Sequence, residues 1–245
     1  MITTEPAILA EGLAKSYRGA VAVEDVSLRI EEGETFGLLG ANGAGKTTTV
    51  EMIAGLGTPD RGRVRVLGLD PRDDRAQLRQ VLGVQLQHAV LHDALQVGEL
   101  LDLYRSFYPD PRPSAELLEL VDLEEHRRTR FEKLSGGQQQ RLSVALALAG
   151  RPRVVILDEL TTGLDPKARR RMWGTIDQLK RDGVTILLVS HAMEEVQRLC
   201  DRVALLDAGG VIAEGTPPEV VATSGAATLD DAFVRLTARE PEDTA

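Results

Sequence analysis

The sequence predicts an α/β fold, and three observations support this prediction. An apolar run at residues 35–39 leads directly into the glycine-rich stretch 40–47, which is followed by a helical pattern. Two further runs, residues 154–157 and 184–189, have the continuous hydrophobicity of parallel strands that are buried on both faces. Residues 95–150 show helical periodicity instead. We therefore expect a parallel sheet with an inserted helical segment.

The composition limits the class of protein to which the chain belongs. With 245 residues, of which 42% are hydrophobic, it suits one large α/β domain with a sizeable core. The formal net charge of −9 argues against a mainly nucleic-acid-binding surface, which would be basic. The single cysteine argues against a disulfide framework and for a reducing compartment. Because we find no signal peptide and no apolar run of about 18 residues, we expect a soluble, cytoplasmic protein.

The N-terminal part of the chain predicts an antiparallel pair of strands. Residues 7–13 and 26–30 have strand character, and the second run alternates hydrophobic with polar residues, as in a half-exposed strand. Tyr17 lies between these strands in the polar loop 15–19. The ring of Tyr17 either folds onto the sheet or serves a ligand, and the residues alone leave both interpretations open.

Residues 40–47 follow the pattern G-x-x-x-x-G-K-T, which is typical of a loop that binds phosphate groups. The glycines let backbone N–H groups turn toward an anion, and the N-terminus of the next helix adds partial positive charge. Lys46 is placed to reach the β- and γ-phosphates, and the Thr47 hydroxyl to bind Mg²⁺. A glycine-rich turn with a capping lysine is the alternative. A dinucleotide fingerprint is excluded because Thr48 stands where its third glycine belongs.

The next segment predicts strands at residues 64–67 and 82–87, and helices from residue 97 onward. His88 and His92 are four residues apart, but no further metal ligands lie near them in the sequence. We therefore interpret both as surface histidines of a loop.

The helix predicted from residue 135 onward begins with two glycines. Ser135 and Gln138 fit a capping box, which explains the helix start without any function. A cap does not require glycines in the first turn, where each costs about 1 kcal/mol. Because glycines expose backbone N–H groups to an anion, we interpret Ser135, Gly137 and Gln138 as a second phosphate-contacting helix start.

Polar side chains follow two of the predicted core strands. Asp158 and Glu159 come directly after residues 154–157, and ligands of open α/β sheets bind at the carboxyl ends of strands. There Asp158 is suited to hold the water shell of Mg²⁺, and Glu159 to orient a water molecule. His191 ends the next core strand on the same side. Asp165, followed by proline, fits a helix N-cap that needs no function.

The C-terminal part predicts a hairpin and a tail helix. Residues 203–206 and 211–213 have strand character on either side of a turn. Leu229, Phe233 and Leu236 recur at the spacing of an amphipathic helix.

In order and spacing, these motifs resemble the nucleotide-binding subunit of ATP-binding cassette (ABC) transporters over nearly the whole chain. Residues 40–47 match the Walker A motif, and residues 154–159 (VVILDE) match Walker B with the catalytic glutamate. Residues 134–138 (LSGGQ) match the family signature, the most specific motif present. The sequence departs from the family pattern at Leu160, where proline is usual. A proline would stiffen that turn. The resemblance therefore implies that the orientation of the Glu159 side chain is less rigid in this chain.

The resemblance implies a P-loop NTPase fold with a RecA-like core, an antiparallel β subdomain and an inserted α-helical subdomain. Residues 1–245 would form a single ABC ATPase domain. Its parts would be the core with the β subdomain (approximately 1–87 and 152–218), the helical signature subdomain (approximately 88–151) and the tail helix (219–245). The tail resembles that of exporter ATPases that pair with ABC-2-type permeases, as in drug or antibiotic efflux.

The resemblance also implies roles for individual residues. Glu159, His191 and Gln87 would be catalytic, with Glu159 polarising the attacking water and His191 contacting the γ-phosphate. Mg²⁺ would be held by Thr47, Gln87 and, through water, Asp158. The ring of Tyr17 would stack on adenine. The residues that would bind ATP are Tyr17, Asn42, Gly43, Gly45, Lys46, Thr47, Thr48, Ser135, Gly137, Gln138 and Asp165.

The function that the resemblance implies is ATP binding and hydrolysis that drive transport, with export favoured, through a separate membrane permease. The chain would form a head-to-tail dimer with a second copy of itself or with a homologous subunit. Two ATP molecules would lie in the interface, each between the Walker A motif of one subunit and the signature of the other. The chain would sit at the inner face of the cell membrane through the permease. No nucleic acid partner is expected.

Two other classes of function compete with this one. A soluble ABC ATPase that acts on nucleic acid or translation usually carries a second cassette, coiled-coil insertions or basic arms, and the sequence has none of these. A regulatory module that binds ATP without turnover would lack Glu159 or His191, and both are present. Import competes with export within the first class, because no motif of the catalytic core separates the two directions.

Overall fold

The computed structural model describes residues 5–86 and 91–237. The strands are β1 (Ile8–Tyr17), β2 (Ala20–Ile30), β3 (Thr35–Gly40), β4 (Arg61–Val66), β5 (Leu82–Gln85), β6 (Val154–Asp158), β7 (Thr185–Val189), β8 (Arg202–Asp207) and β9 (Gly210–Gly215). The α-helices are α1 (Lys46–Ile53), α2 (Arg75–Val81), α3 (Val97–Arg105), α4 (Ser114–Val121), α5 (Gly136–Ala147), α6 (Pro166–Arg181), α7 (Met193–Leu199), α8 (Pro217–Ser224) and α9 (Leu229–Thr237).

In the described residues the strands form one mixed sheet in the order β4-β1-β2-β9-β8-β3-β7-β6-β5. Strands β8, β3, β7, β6 and β5 pair parallel with one another, while β4, β1 and β2 pair antiparallel. The antiparallel pairing of β1 with β2 confirms the expected N-terminal pair, and the antiparallel pairing of β8 with β9 confirms the expected hairpin. The parallel strands form the half of the sheet that carries the polar strand ends.

The central strands are buried because each contributes side chains to a core on both faces of the sheet. In β6, Val154 and Ile156 join the core on the face that carries α1, while Val155 and Leu157 join the core beneath the helical segment. This two-sided burial explains the continuous apolar runs in the sequence.

The carboxyl ends of β3, β6 and β7 meet at one edge of the sheet. Leu38 of β3 pairs with Val189 of β7, and Val189 pairs with Asp158 of β6. The glycine-rich loop that follows β3 therefore lies beside the residues that follow β6 and β7. This is the edge at which ligands of open α/β sheets bind.

The helices between β5 and β6 pack around α5, which contacts α3, α4 and β5. The Arg141 guanidinium of α5 donates hydrogen bonds to the carbonyl oxygens of Val121 (2.7 Å) and Asp122 (2.8 Å) at the end of α4. The Asp122 carboxylate also pairs with Arg171 of α6. The helical segment is thus tied to the core helix α6. The predicted subdomain boundaries stay a prediction.

The structure differs from the sequence-based expectation at four places. Tyr17 is the last residue of β1, paired with Ala20 of β2, and not part of a loop. The strand expected over residues 82–87 ends at Gln85. Helices α2 and α7 were not expected, because seven residues are too few for a clear periodicity. The single tail helix expected over residues 219–245 is, in the described part, two helices, α8 and α9, because Gly225 ends α8 with a left-handed φ of 64°. None of the helices in the described ranges has the length and hydrophobicity of a bilayer-spanning segment.

Candidate functional site

The turn between β3 and α1 has a backbone that only glycine suits at Gly45. This residue caps α1 with φ 101°, in the left-handed region. A Cβ atom there would lie 2.6 Å from the carbonyl oxygen of Ala22, which is closer than real atoms approach. The glycine therefore lets the loop turn tightly against β2 and directs the start of α1 into the site.

A cleft with a volume of about 220 Å³ opens at this turn. It unites the glycine-rich loop, the first turn of α1 and the two residues at the carboxyl end of β6. The residues that line it are Ala22, Asn42, Gly43, Gly45, Lys46, Thr47, Thr48, Asp158 and Glu159. Eight of these nine were predicted from the sequence, and Ala22 was missed because nothing in its local pattern distinguishes it.

Lys46 provides the cleft with a cation. Its ammonium group donates hydrogen bonds to the carbonyl oxygens of Gly40 (2.7 Å) and Ala41 (3.0 Å), so the side chain lies across the loop. Partial burial lowers the pKa of Lys46, while the carboxylates of Asp158 and Glu159 act in the opposite direction. A phosphate group in the cleft would further favour the charged ammonium.

Asp158 ends β6 with its side chain in the cleft, and only 4% of the residue is exposed. Its backbone N–H donates a hydrogen bond of 3.1 Å to the Oε1 atom of Gln85. Gln85 is itself buried at the end of β5 and was not predicted as a site residue. A polar residue at the carboxyl end of the predicted strand is the signal that could have identified it.

Glu159 has a left-handed backbone, with φ 54°, and three contacts hold it there. Its N–H donates to the carbonyl oxygen of Val189 (2.8 Å). Its own carbonyl oxygen accepts from the backbone N–H of Thr162 (3.2 Å) and from Nε2 of Gln140 (3.1 Å). Leu160, where the family usually has proline, is fully buried. Burial of this side chain anchors the turn that a proline ring would otherwise stiffen.

His191 lies beside Glu159, as expected from the ends of β6 and β7. The His191 Nδ1 atom is 3.4 Å from Oε1 of Glu159. The Oγ1 atom of Thr162 lies 3.4 Å from the other carboxylate oxygen. The imidazole side chain is 62% exposed, whereas that of Glu159 is 18% exposed. The histidine thus covers the carboxylate on its solvent side.

A buried carboxylate that the sequence analysis missed holds the turn that carries His191. Glu195 of α7 is 1% exposed, and its carboxylate accepts from the Ser190 hydroxyl (2.8 Å) and the Trp173 indole N–H (3.2 Å). The Ser190 hydroxyl in turn accepts from the N–H of Ala192 (3.0 Å). The sequence carries no signal for this role, because Glu194 and Glu195 are neighbours and only the fold buries one of them.

The signature residues form the capping box expected at the start of α5. The Gln138 N–H donates to the Ser135 hydroxyl (3.3 Å), and the Ser135 N–H donates to Oε1 of Gln138 (2.8 Å). Ser135 and Gly136 are exposed. A Cβ atom at Gly137 would lie 3.0 Å from the Leu164 side chain, so this glycine permits a close approach to the turn before α6.

Asp165 caps α6, as expected from its pattern. Its carboxylate accepts from the backbone N–H groups of Lys167 (2.8 Å) and Ala168 (2.9 Å), and these bonds, the one from Ala168 first, lower the pKa of Asp165. The geometry alone therefore accounts for this residue as a helix cap.

The structure does not bring all predicted site residues into the cleft. Among the described residues, the lining excludes Tyr17, Asp165, His191 and the signature residues Ser135, Gly137 and Gln138. Tyr17 is 48% exposed at the tip of the β1–β2 hairpin, with the Lys15 ammonium 5.5 Å from its ring centre. Gln87 lies outside the described residues, as does His88.

A second cavity, of about 600 Å³, brings the tail helix α9 to the edge of the site. Asn42, Glu159 and His191 line one side of it. Asp230, Phe233 and Val234 of α9 line the other side. The amphipathic pattern predicted this helix but not its position.

Residues 23–162 match the family model described as ABC transporter. The Nod factor export ATP-binding protein I of Rhizobium johnstonii is 43% identical over 86% of this chain and 69% of that protein. The linearmycin resistance ATP-binding protein LnrL of Bacillus subtilis is 37% identical over 90% of this chain and 72% of that protein.

Solved structures are similar over most of the fold. An ATP-binding subunit of an ABC transporter has a TM-score of 0.86 and 30% identity, covering 94% of this chain and 99% of that chain. The ATP-binding cassette MJ0796, in a dimeric post-hydrolysis state bound to ADP and Pi, has a TM-score of 0.79 and 26% identity, covering 85% and 98%.

These comparisons confirm the predicted resemblance, the P-loop NTPase fold class and the prediction of an ATP-binding, ATP-hydrolysing transporter subunit. The matched residues include the signature and every residue of the cleft lining except Ala22. The chain therefore belongs to the ABC transporter family.

Proposed function

We propose that this chain hydrolyses ATP in the cleft and thereby drives export through a separate permease. The main observation that supports this proposal is that one cleft contains the glycine-rich helix start, the Lys46 ammonium and the carboxylates of Asp158 and Glu159. The names of similar proteins, Nod factor export and linearmycin resistance ATP-binding proteins, support the direction and the link to drug or antibiotic efflux.

The phosphates of ATP lie at the start of α1. Backbone N–H groups from Gly43 to Thr48 surround the β-phosphate, with Asn42 at the rim of the same loop. Lys46 moves from the loop carbonyls to the β- and γ-phosphates, where its charge is better matched. Tyr17 stacks on adenine from the β1–β2 hairpin, which also supplies Ala22 to the cleft wall.

The residues of the cleft fit a magnesium ion. Thr47 and Asp158 place a hydroxyl and a carboxylate, the oxygen ligands that Mg²⁺ prefers, in the same cleft. No cluster of three or more His, Cys, Asp or Glu suited to a metal occurs in the ranges that the structure describes. This agrees with an ion held mainly by phosphates and water. When bound, Mg²⁺ neutralises charge that develops on the phosphates, with Gln87 as a further ligand.

Glu159 orients and polarises the water that attacks the γ-phosphate. Its side chain is mostly buried and its backbone is held from three sides, so the carboxylate is preorganised. His191 sits at 3.4 Å from this carboxylate and contacts the γ-phosphate from the solvent side. We expect Glu159 to contribute about 10²–10⁴-fold to turnover, as general bases do.

A second copy, or a homologous subunit, completes the site. The start of α5 has exposed Ser135 and Gly136 but does not line the cleft of its own chain. It offers N–H donors to an anion without a lysine or metal ligand of its own. The dimeric structure of the similar cassette MJ0796 supports a dimer. In the head-to-tail arrangement that we propose, this helix start, with Asp165 nearby, meets the other chain's ATP. ATP then favours the closed dimer because it makes these contacts only there.

The permease docks into an apolar groove of about 320 Å³ between α1, α2 and β5. Leu56, Leu78 and Leu86 line this groove together with Arg75 and Arg79. Leu56 is 63% exposed, and the groove ends at the residue before Gln87. A membrane subunit seated here holds the chain at the inner face of the membrane and acts on the site through Gln87.

The hydrolysis proposal is tested by Glu159→Gln in the purified protein. Turnover should fall about 10²–10⁴-fold while ATP binding persists, because the amide cannot accept a proton but keeps the side-chain volume. Glu194→Gln on α7 is the matched control, since this carboxylate is 75% exposed and does not line the cleft. Hydrolysis at the wild-type rate in Glu159→Gln would contradict the assignment.

The docking proposal is tested by Leu56→Glu in cells that express the permease. A charge in the apolar groove should release the ATPase from the membrane fraction without lowering its thermal stability. Ile212→Glu on β9 is the control, because Ile212 is also exposed but lies away from the groove. If Leu56→Glu stays with the membrane as firmly as Ile212→Glu, the groove is not the docking site.

A further inference from the structure

Gln140 connects the signature helix with the backbone of the catalytic glutamate. It lies on α5, two residues after the LSGGQ motif, and is half-buried. Its Nε2 atom donates a hydrogen bond of 3.1 Å to the carbonyl oxygen of Glu159. The side chain thus leaves its own helix and reaches the turn that follows β6.

The carbonyl group that accepts this hydrogen bond belongs to Glu159, whose backbone conformation is unfavourable and has to be stabilised by contacts. Glu159 has φ 54°, a region that is unfavourable for residues with a side chain. The bond from its N–H to Val189 fixes the start of the residue. The plane of the following peptide, between Glu159 and Leu160, is set by the bonds that its carbonyl accepts from Gln140 and Thr162. Rotation of this plane would turn the carboxylate away from His191.

The neighbouring glutamine serves a different purpose. Gln139 donates to the carbonyl oxygens of Phe131 (3.2 Å) and Leu134 (3.4 Å), both in the segment that leads into α5. Gln139 therefore stabilises the signature loop locally. Gln140 instead joins α5 to a residue outside the helical segment. The two adjacent glutamines therefore have different roles: Gln139 makes local contacts, and Gln140 connects two parts of the fold.

We infer that Gln140 is a positioning residue for Glu159, through which the position of α5 governs the aim of the carboxylate. The inference rests on the proposed function, in which the start of α5 contacts the ATP held by a second copy. A shift of α5 lengthens the bond from Gln140 and frees the peptide after Glu159. In each chain, the orientation of Glu159 then depends, through Gln140, on whether the signature of that chain contacts the ATP held by the second copy.

The first test compares Gln140→Met with Gln140→Lys. Met keeps the length of the side chain but has no donor, so kcat should fall about 3- to 10-fold with KM for ATP unchanged. Lys keeps a donor and should restore kcat to within about twofold of wild type. A wild-type kcat in Gln140→Met, a loss that appears in KM alone, or a loss that Lys does not restore would each overturn the inference.

Thermal unfolding of the same variants separates positioning from stability. Gln140→Met and Gln140→Lys should unfold at the same temperature within about 2 °C, because the contact they differ in is a single partly exposed hydrogen bond. If kcat of the variants follows their unfolding temperature, Gln140 acts on stability and the inference fails.

The second test places the substitution in one chain of a mixed dimer. Two differently tagged copies are purified together with ATP, and one carries Glu159→Gln, so that only the other hydrolyses. Gln140→Met should lower turnover when it lies in the chain with the intact Glu159, and not when it lies in the other chain. The opposite pattern would assign Gln140 to ATP contact across the dimer and overturn the inference.

The outcomes for the two proposals differ. If the tagged copies do not purify together, the dimer of the proposed function is wrong. The kcat comparison of single-variant protein still decides whether Gln140 positions Glu159.

Discussion

Replacement of Glu195 by alanine tests how strongly the turn at His191 is held. In the structure the Glu195 carboxylate is the acceptor for two donors, the Trp173 indole N–H and the Ser190 hydroxyl, and all three residues are at least 92% buried. Glu195→Ala removes both acceptors and leaves a cavity beside the two donors. Both donors then stay buried without their partner.

The expected loss follows from these two bonds. A buried donor without an acceptor costs about 1–3 kcal/mol, and the Ser190 hydroxyl is able to rotate toward another acceptor. We therefore expect Glu195→Ala to lower the free energy of unfolding by about 2–4 kcal/mol. For a chain of this length, that corresponds to a decrease in Tm of about 5–15 °C. Glu195→Gln keeps one acceptor oxygen and should lose about half as much.

Urea unfolding followed by tryptophan fluorescence measures this decrease in the free energy of unfolding. Trp173 is the single tryptophan of the chain, and its indole N–H donates to Glu195, so its emission reports directly on the altered contact. Glu194→Ala is the matched control, because that side chain is 75% exposed and its ion pair with Arg169 spans 3.7 Å. The control should change stability by less than about 0.5 kcal/mol. An equally small change in Glu195→Ala would refute the reasoning.

Three further results are expected. Lys46→Ala should weaken ATP binding by about 10- to 100-fold, since a charge-assisted bond to phosphate is lost; an unchanged Kd in calorimetry would contradict this. Burial raises the pKa of the Cys200 thiol, so a thiol reagent at pH 8 should label the protein only after unfolding, and rapid labelling of native protein would argue against it. Gly83→Ala should lower Tm strongly, because its Cβ would lie 2.2 Å from the Ala147 carbonyl oxygen; a native-like melting curve would disprove the clash.

The parts of the site that could be predicted are formed by residues that are close together in the sequence. The loop at residues 40–47 was recognised because a strand, a phosphate loop and a helix start follow one another along the chain. Asp158 and Glu159 were recognised because they stand at the carboxyl end of a buried strand. In each case the chemistry and the geometry that supports it lie within a few residues.

The missed parts depend on contacts between distant residues. Ala22 lines the cleft from β2. Gln85 accepts a hydrogen bond from the N–H of Asp158 on the neighbouring strand, and Gln140 reaches Glu159 from α5. Glu195 gives no local signal, because its neighbour Glu194 has the same chemistry. The Tyr17 loop was predicted wrongly because a two-residue turn suffices to join β1 and β2.

The sequence by itself determined the chemistry of this protein, because residue type and spacing decide which groups meet a phosphate or a water molecule. It predicted the fold class and the family for the same reason. The tertiary structure decided how firmly those groups are held, since the pairing of Gln140 with Glu159 and of Glu195 with Ser190 arises only when helices pack against the sheet. It also decided that the signature stands outside its own chain's cleft. Side-chain contacts between segments far apart in the chain are set by packing, and no local pattern encodes them.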